Sequence, residues 1–238
     1  MLTMLTLTGA DNTCNPEDLR ALSMKFPFVE WGILIGSGTG NRFPSLDWIR
    51  DLIECRYESD NKMQLSLHIC GKFLREIAAG NSSLLDDIGP GLCAFDRCQL
   101  NWHGQQQPAA VSENVLNAFC RLTPWEPQII FQLDGVNDDL WRGAARRFLV
   151  AGLFDVSHGG GVLPGEWPAA KHDFACGWAG GLGPDNVVAE AGKIAACCHN
   201  SMQHWIDMET KLRATDDDYF DLGKCRNVLE QMAPLIGR

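Results

Sequence analysis

The sequence predicts an α/β fold: a single-domain, closed (β/α)8 TIM barrel spanning residues 1–238. Three observations carry that prediction. Short runs rich in β-branched, leucine and aromatic residues recur about every 30 residues. A segment with helical spacing follows each run, so strands and helices alternate, which is the pattern of a parallel sheet. Eight such units fit into 238 residues, the size of one closed barrel. An open doubly wound sheet usually shows a GxGxxG turn after its first strand, and Thr8-Gly9-Ala10-Asp11-Asn12 has nothing of that form.

The predicted strands are 3–8, 28–35, 64–70, 97–102, 128–134, 152–157, 174–179 and 203–208. Their near-continuous apolar character suits strands buried on both faces. Asn15-Pro16-Glu17-Asp18 places a capping side chain, a proline at the first helical position and acids in the first turn. Leu46, Ile49 and Ile53 form an apolar stripe behind a Ser45 cap, and Val136, Leu140, Ala144 and Phe148 form another. Gly183-Pro184-Asp185 opens a helix with Val187, Val188, Ala191 and Ile194 inward. The last helix, from about Tyr219 to Leu235, packs through Leu222, Cys225, Leu229 and Met232. The stretch 80–96 reads as the longest irregular segment, a loop with a helical turn.

Composition narrows the function classes. The formal net charge of −10 argues against a nucleic-acid backbone or an anionic membrane surface as partner. No apolar run approaches the roughly 20 residues that span a bilayer, and the amino-terminal stretch lacks the basic residues of a signal peptide. Ten cysteines occur without a CxxC pair, six of them (Cys55, Cys70, Cys98, Cys120, Cys176 and Cys225) inside apolar or periodic segments. They read as free thiols of a reducing, cytoplasmic setting, with no metal and no cofactor expected. The expected partner is a small molecule, bound by a monomer or homodimer.

In barrels of this kind chemistry is built at the carboxyl ends of the strands. Those ends carry Thr8-Gly9, Gly36 to Arg42, His68 and Cys70, Asn101 and His103, Asp134, Asp155 and His158, Gly180-Gly181, and Asp207 with Glu209. Asp155 ends a buried strand, the setting in which a carboxyl pKa is raised toward acid duty. His68 and Cys70 share one face of their strand. If that face is the barrel mouth, an imidazole of pKa ~6.5 is a candidate base; otherwise His68 is a hydrogen-bonded core residue. Two glycine clusters, His158-Gly159-Gly160-Gly161 and Gly180-Gly181-Leu182-Gly183, let backbone N–H groups approach an anion at a helix start, and equally serve as plain turns.

Together these residues resemble phosphoribosylanthranilate isomerase. Gly177-Trp178-Ala179-Gly180-Gly181-Leu182-Gly183-Pro184-Asp185-Asn186-Val187 is similar to that family's (S/A)GGLxPxNV motif after strand seven. Phe154-Asp155-Val156-Ser157, followed by Gly160-Gly161 and Gly165-Glu166-Trp167, resembles its LLDS…GGxG…DW stretch. Cys98-Gln99-Leu100-Asn101-Trp102-His103-Gly104 looks like its VQLHG with two residues inserted. Asn41-Arg42-Phe43 resembles the SxR(Y/F) after strand two, and Ile206-Asp207-Met208 the VDV of strand eight. The resemblance implies an Amadori-type aldose–ketose isomerisation of a phosphorylated sugar derivative, as in tryptophan biosynthesis. It implies Asp155 as general acid, Arg42 on the substrate carboxylate, and Gly160, Gly161, Gly180 and Gly181 around the phosphate. Gln99, His103, Asp134, Asp207 and Glu209 complete the expected substrate contacts.

The chain departs from the family at two points. Thr8 stands where the family keeps its catalytic cysteine, and a threonine hydroxyl offers no counterpart to a thiol of pKa ~8.5. Cys14 in the following loop, equally readable as a bystander near the helix cap, and His68 are the candidate replacements. Glu209-Thr210-Lys211 stands where the family has the SSG phosphate motif, and a glutamate repels a phosphate unless Lys211 or Arg213 intervenes. A phosphate-binding aldolase or epimerase, or a small-molecule binder without catalysis, are the alternative readings.

Overall fold

The computed structural model describes residues 2–36, 40–60, 62–102, 110–121, 125–133, 138–155, 157, 160–170, 175–198, 203–214 and 218–236. Eight parallel strands close into one barrel in sequence order, β8 pairing back onto β1. They are β1 (Leu2–Thr8), β2 (Val29–Ile35), β3 (Gln64–Cys70), β4 (Arg97–Asn101), β5 (Gln128–Gln132), β6 (Val150–Asp155), β7 (Ala175–Ala179) and β8 (His204–Met208). The helices are α1 (Pro16–Lys25), α2 (Leu46–Glu58), α3 (Gly71–Ala78), α4 (Ser83–Ile88), α5 (Ala110–Arg121), α6 (Asp138–Ala144), α7 (Val187–Cys197) and α8 (Leu222–Met232).

The alternation is less regular than the sequence suggests. The connection from β3 to β4 carries α3 and then, over the stretch 80–96 expected as a loop with a helical turn, both α4 and a 3₁₀ turn, Gly89–Ala94. Between β6 and β7 no helix occurs among the described residues. Pro164 and Pro168 lack the amide proton a helix interior needs, and residues 160–170 run as an irregular strap tied to the outer wall. The Ala170 amide donates to the Cys197 carbonyl at 2.8 Å, the Trp178 indole to the Pro168 carbonyl at 2.9 Å, and the Trp167 indole to Glu190 Oε2 at 2.8 Å.

Helix starts follow local chemistry. Asn15 Oδ1 accepts from the Glu17 amide at 3.0 Å, Ser45 Oγ from the Trp48 amide at 3.2 Å, and Asp221 Oδ1 from the Gly223 amide at 2.9 Å. Each such cap contributes about 1 kcal/mol. Val187, Ala191 and Ile194 are buried as expected, whereas Val188 faces solvent with 43% exposure, because it lies one residue off the stripe.

Alternate strand residues point outward to the helices and inward to the lumen. The outward set (Leu5 and Leu7, Trp31 and Ile33, Leu65 and Leu67, Trp178, Ile206) joins the helices in the main core. The lumen holds a smaller apolar cluster of Ile130, Ala151, Leu153 and Trp205. A Cβ on Gly177 would lie 2.1 Å from Cε2 of Trp205, so glycine in β7 makes room for the indole. The Arg97 guanidinium lies 4.2 Å from the centre of that indole. Arg97 Nε donates to Glu30 Oε2 at 2.6 Å, and the Thr6 hydroxyl donates to Glu30 Oε1 at 2.8 Å. This buried ion pair closes the lumen beneath the mouth.

Candidate active site

Above that floor a cavity of about 210 Å³ opens at the carboxyl ends of the strands. It is smaller than the roughly 300–1,000 Å³ of drug-sized sites, a size that suits one small polar molecule. Its wall brings together Thr8, Arg42, His68, Gln99, Asp155, Gly161, Gly180, Gly181, Asp207 and Glu209, all anticipated from the sequence. Residues 103 and 134, the expected contacts His103 and Asp134, lie outside the described residues. Gly160 does not line the cavity; its amide turns back to the Ser157 carbonyl at 2.9 Å.

Thr8 and Asp207 form one unit. Strands β1 and β8 run side by side, and the Thr8 hydroxyl donates to Asp207 Oδ1 at 2.7 Å. Burial pushes the Asp207 carboxyl up to about 8; the Thr8 hydrogen bond and Arg97 act against that rise, and the charges of Glu209 and Glu30 add to it. The carboxyl that titrates near neutral pH is therefore on β8, beside the threonine. Asp155 ends β6 on the same cavity, and its Oδ1 accepts from the Ser157 amide at 3.1 Å and from the Ser157 hydroxyl at 2.9 Å.

Both expected replacements for the missing cysteine need correction. Cys14 is buried in the outer core rather than in the cavity wall, and its thiol donates to the Asp11 carbonyl at 3.3 Å. Burial pushes that thiol up to about 12, so it supplies no thiolate at neutral pH. His68 does face the lumen, but burial and then the nearby Arg97 charge push its imidazole down to about 3. It is a neutral hydrogen-bonding group, not a base poised near pH 6.5. Among the described residues its Nε2 has no hydrogen-bond partner, and neither has Oε1 of the neighbouring Gln99, whose amide nitrogen donates to Asn101 Oδ1 at 2.8 Å.

Glu209 is held on the β2 side of the mouth, where Arg42 Nη1 donates to its Oε1 at 2.9 Å. Burial raises the Glu209 carboxyl, and Arg42 and Arg213 pull it back down. Arg213 itself is engaged elsewhere, on the Gly9 carbonyl at 2.8 Å and Asp11 Oδ2 at 2.7 Å. On the opposite side the glycine loops pack on one another and on the strand-eight loop. Gly161, Gly180 and Gly181 have φ of 66°, 128° and 62°. A Cβ on Gly181 would lie 2.6 Å from the Leu163 amide nitrogen, and one on Gly161 would lie 3.0 Å from the Thr210 side chain. Lys211, at the cavity rim, packs its stem on Gly183.

Sequence reasoning named Asn101, Ser157 and Thr210 only within strand ends or motifs, without a contact of their own, and passed over Gln132; all four line the wall. Asn101 and Gln132 had a signal, a polar residue two positions from another inward-facing one on an apolar strand. Ser157 and Thr210 sit in loops, where no periodicity exists to orient them. Among the described residues no three His, Cys, Asp or Glu side chains are grouped to hold a metal ion, and no helix is long and apolar enough to cross a membrane.

No family model and no curated protein matches the chain in sequence. Solved structures do resemble it. A truncated 3-deoxy-D-arabino-heptulosonate 7-phosphate synthase from Thermotoga maritima superposes with a TM-score of 0.56 at 10% identity, covering 98% of this chain and 86% of that one. A second structure of phospho-2-dehydro-3-deoxyheptonate aldolase from Thermotoga maritima gives 0.55 at 11% identity, covering 98% and 69%. At such identity the likeness concerns the backbone alone, and it agrees with the strand order: the chain has the (β/α)8 barrel fold.

Proposed function

We propose that this protein is an acid–base enzyme of the aldose–ketose isomerase type, with chemistry like that of phosphoribosylanthranilate isomerase, acting on a phosphorylated sugar derivative. The observation that carries this reading is the Thr8–Asp207 unit. A carboxyl that titrates near neutral pH adjoins the position where the resembling family keeps its base, and it shares one cavity with Asp155. Two carboxyls in unlike environments are what a two-proton reaction needs.

In this reading Asp155 gives a proton to the ring oxygen as the ring C–O bond breaks. The lone pair of the nitrogen on C1 forms a C1=N bond as the ring opens; the Asp207 carboxylate then takes the proton at C2, the C–H electron pair becomes the C1=C2 bond, and the C1=N pair returns to nitrogen. Collapse to the ketone releases the C2 hydroxyl proton to Asp155, while Asp207 returns its proton to C1. Thr8 steadies the ionised form of Asp207 by donating to it. The phosphate is assigned to the side of Gly161, Gly181, Thr210 and Lys211, away from Glu209, whose charge is turned toward Arg42. The test is deuterium exchange at C2, followed by NMR in D2O, with phosphoribosylanthranilate and with aldose phosphates as substrates. Exchange is expected in the wild type and a loss of about 10²-fold or more in Asp155→Asn and in Asp207→Asn. Exchange no faster than in the double variant for every compound overturns the proposal.

A further inference from the structure

Among the described residues two Lys or Arg side chains border the cavity, Lys211 and Arg42. They are not equivalent. Lys211 packs its stem on Gly183, beside the loops assigned to the phosphate. Arg42, on the β2 side, is already engaged by the protein itself: its Nη1 lies 2.9 Å from Glu209 Oε1, and its Nη2 lies 3.8 Å from Asp218 Oδ1. With side chains 34% and 24% exposed, the Arg42–Glu209 pair is only partly screened by water. One guanidinium thus faces two carboxylates, and a ligand carboxylate placed there meets Glu209 as a like charge. What adjoins Arg42 on the β2 side is apolar. Leu34 and Phe43 border the cavity, and a Cβ on Gly36 would lie 2.4 Å from the Phe43 ring, so the glycine after β2 makes room for that ring. Elsewhere on the wall, His68 Nε2 and Gln99 Oε1 belong to side chains buried in the lumen and have no partner among the described residues. Both groups are neutral and suit the hydroxyls of a sugar.

We propose that Glu209 sets the specificity of the mouth: by holding Arg42 it admits a sugar phosphate whose substituent on the C1 nitrogen is apolar and uncharged, and disfavours the same sugar carrying a carboxylate there. This rests on the reading that the mouth is the active site for a phosphorylated sugar derivative. It replaces the substrate carboxylate expected at Arg42 with an apolar group against Leu34 and Phe43. Glu209 acts here through Arg42 and takes no part in the proton transfers.

Two unreactive analogues test the proposal, 1-phenylamino-1-deoxyribitol 5-phosphate and its 2-carboxyphenyl counterpart, which differ by one carboxylate. In calorimetric titration the phenyl compound is expected to bind the wild type at least about tenfold more tightly. Glu209→Gln keeps the size of the side chain and removes its charge, so the carboxyphenyl compound should gain at least about tenfold relative to the phenyl one. Adding Arg42→Met to Glu209→Gln should abolish that gain, which ties it to the guanidinium. Equal or tighter binding of the carboxyphenyl compound to the wild type overturns the inference, as does a ratio that Glu209→Gln leaves unchanged. If the expected ratios hold while no compound exchanges deuterium at C2, the specificity stands and the isomerase reading falls. If neither analogue binds at millimolar concentration, the sugar phosphate site and this inference fall together.

Discussion

Replacing Asp207 with asparagine removes a proton-linked cost from the folded state, and its size follows from burial. In the unfolded chain an aspartate titrates near 3.9; in the fold burial raises Asp207 to about 8. Between those values the native protein holds a proton that the unfolded chain has lost. The stabilising contribution is therefore complete below the unfolded pKa and is lost as pH rises through the folded one. The slope is about 1.4 kcal/mol per pH unit, so from pH 5 to pH 7 the wild type loses about 2.7 kcal/mol that Asp207→Asn does not. Urea unfolding of both proteins at pH 5, 6 and 7 measures it, and taking the difference cancels the titrating groups that do not interact with Asp207. Parallel stability curves for the two proteins would show that burial does not raise Asp207 in the fold, and the assignment to it of the carboxyl that titrates near neutral pH would fail.

Thr8→Val removes a donor from the Asp207 carboxylate, so the ascending limb of the pH–rate profile should move up by about one to two units, as a charged hydrogen bond is worth about 1.5–3 kcal/mol; an unmoved limb would detach Thr8 from the proton transfer. Gly177→Ala drives a methyl group into Trp205, and chemical denaturation should register a loss of about 1–3 kcal/mol. Arg97→Met leaves Glu30 buried without its partner and should cost about 3–5 kcal/mol, much of it regained by adding Glu30→Leu. Under a thiol reagent at pH 8, exposed Cys93 should react early, while Cys14 and Cys70, both pushed up to about 12, should react only as the protein unfolds; Cys93→Ser should remove the early phase.

The barrel was legible because each strand carries its own signal in a few contiguous residues. Strand β3 falls at 64–70 as expected, and most of the other boundaries differ by one or two residues. Strand β6 begins earlier than Gly152, since Val150 and Ala151 already pair with β5. The two irregular crossovers were harder. Ser83–Ile88 is too short for a periodic stripe, and the helical spacing expected between β6 and β7 gives way to prolines and glycines. The mouth was legible by the rule that strand ends carry chemistry, which found most of the cavity wall. Which side chain pairs with which was not. The Thr8–Asp207 contact spans 199 positions, and Glu30 with Arg97 spans 67, and neither spacing leaves a mark on local sequence. Nor does sequence reveal that His68 lies within reach of the Arg97 charge, which together with burial makes it a poor base.

The strap between β6 and β7, in which no helix occurs among the described residues, has a mechanical consequence. Its first residues form the mouth, where Gly180 and Gly181 sit against Val162 and Leu163, and its last residues are tied to the outer wall through Trp167, Pro168 and Ala170. No independent helix stands between the two to absorb a shift. A molecule settling on the glycine loops would thus load a short tether whose far end is the Trp167 indole bonded to Glu190, and the expected sign of occupancy is a change in Trp167 emission that Trp167→Phe removes.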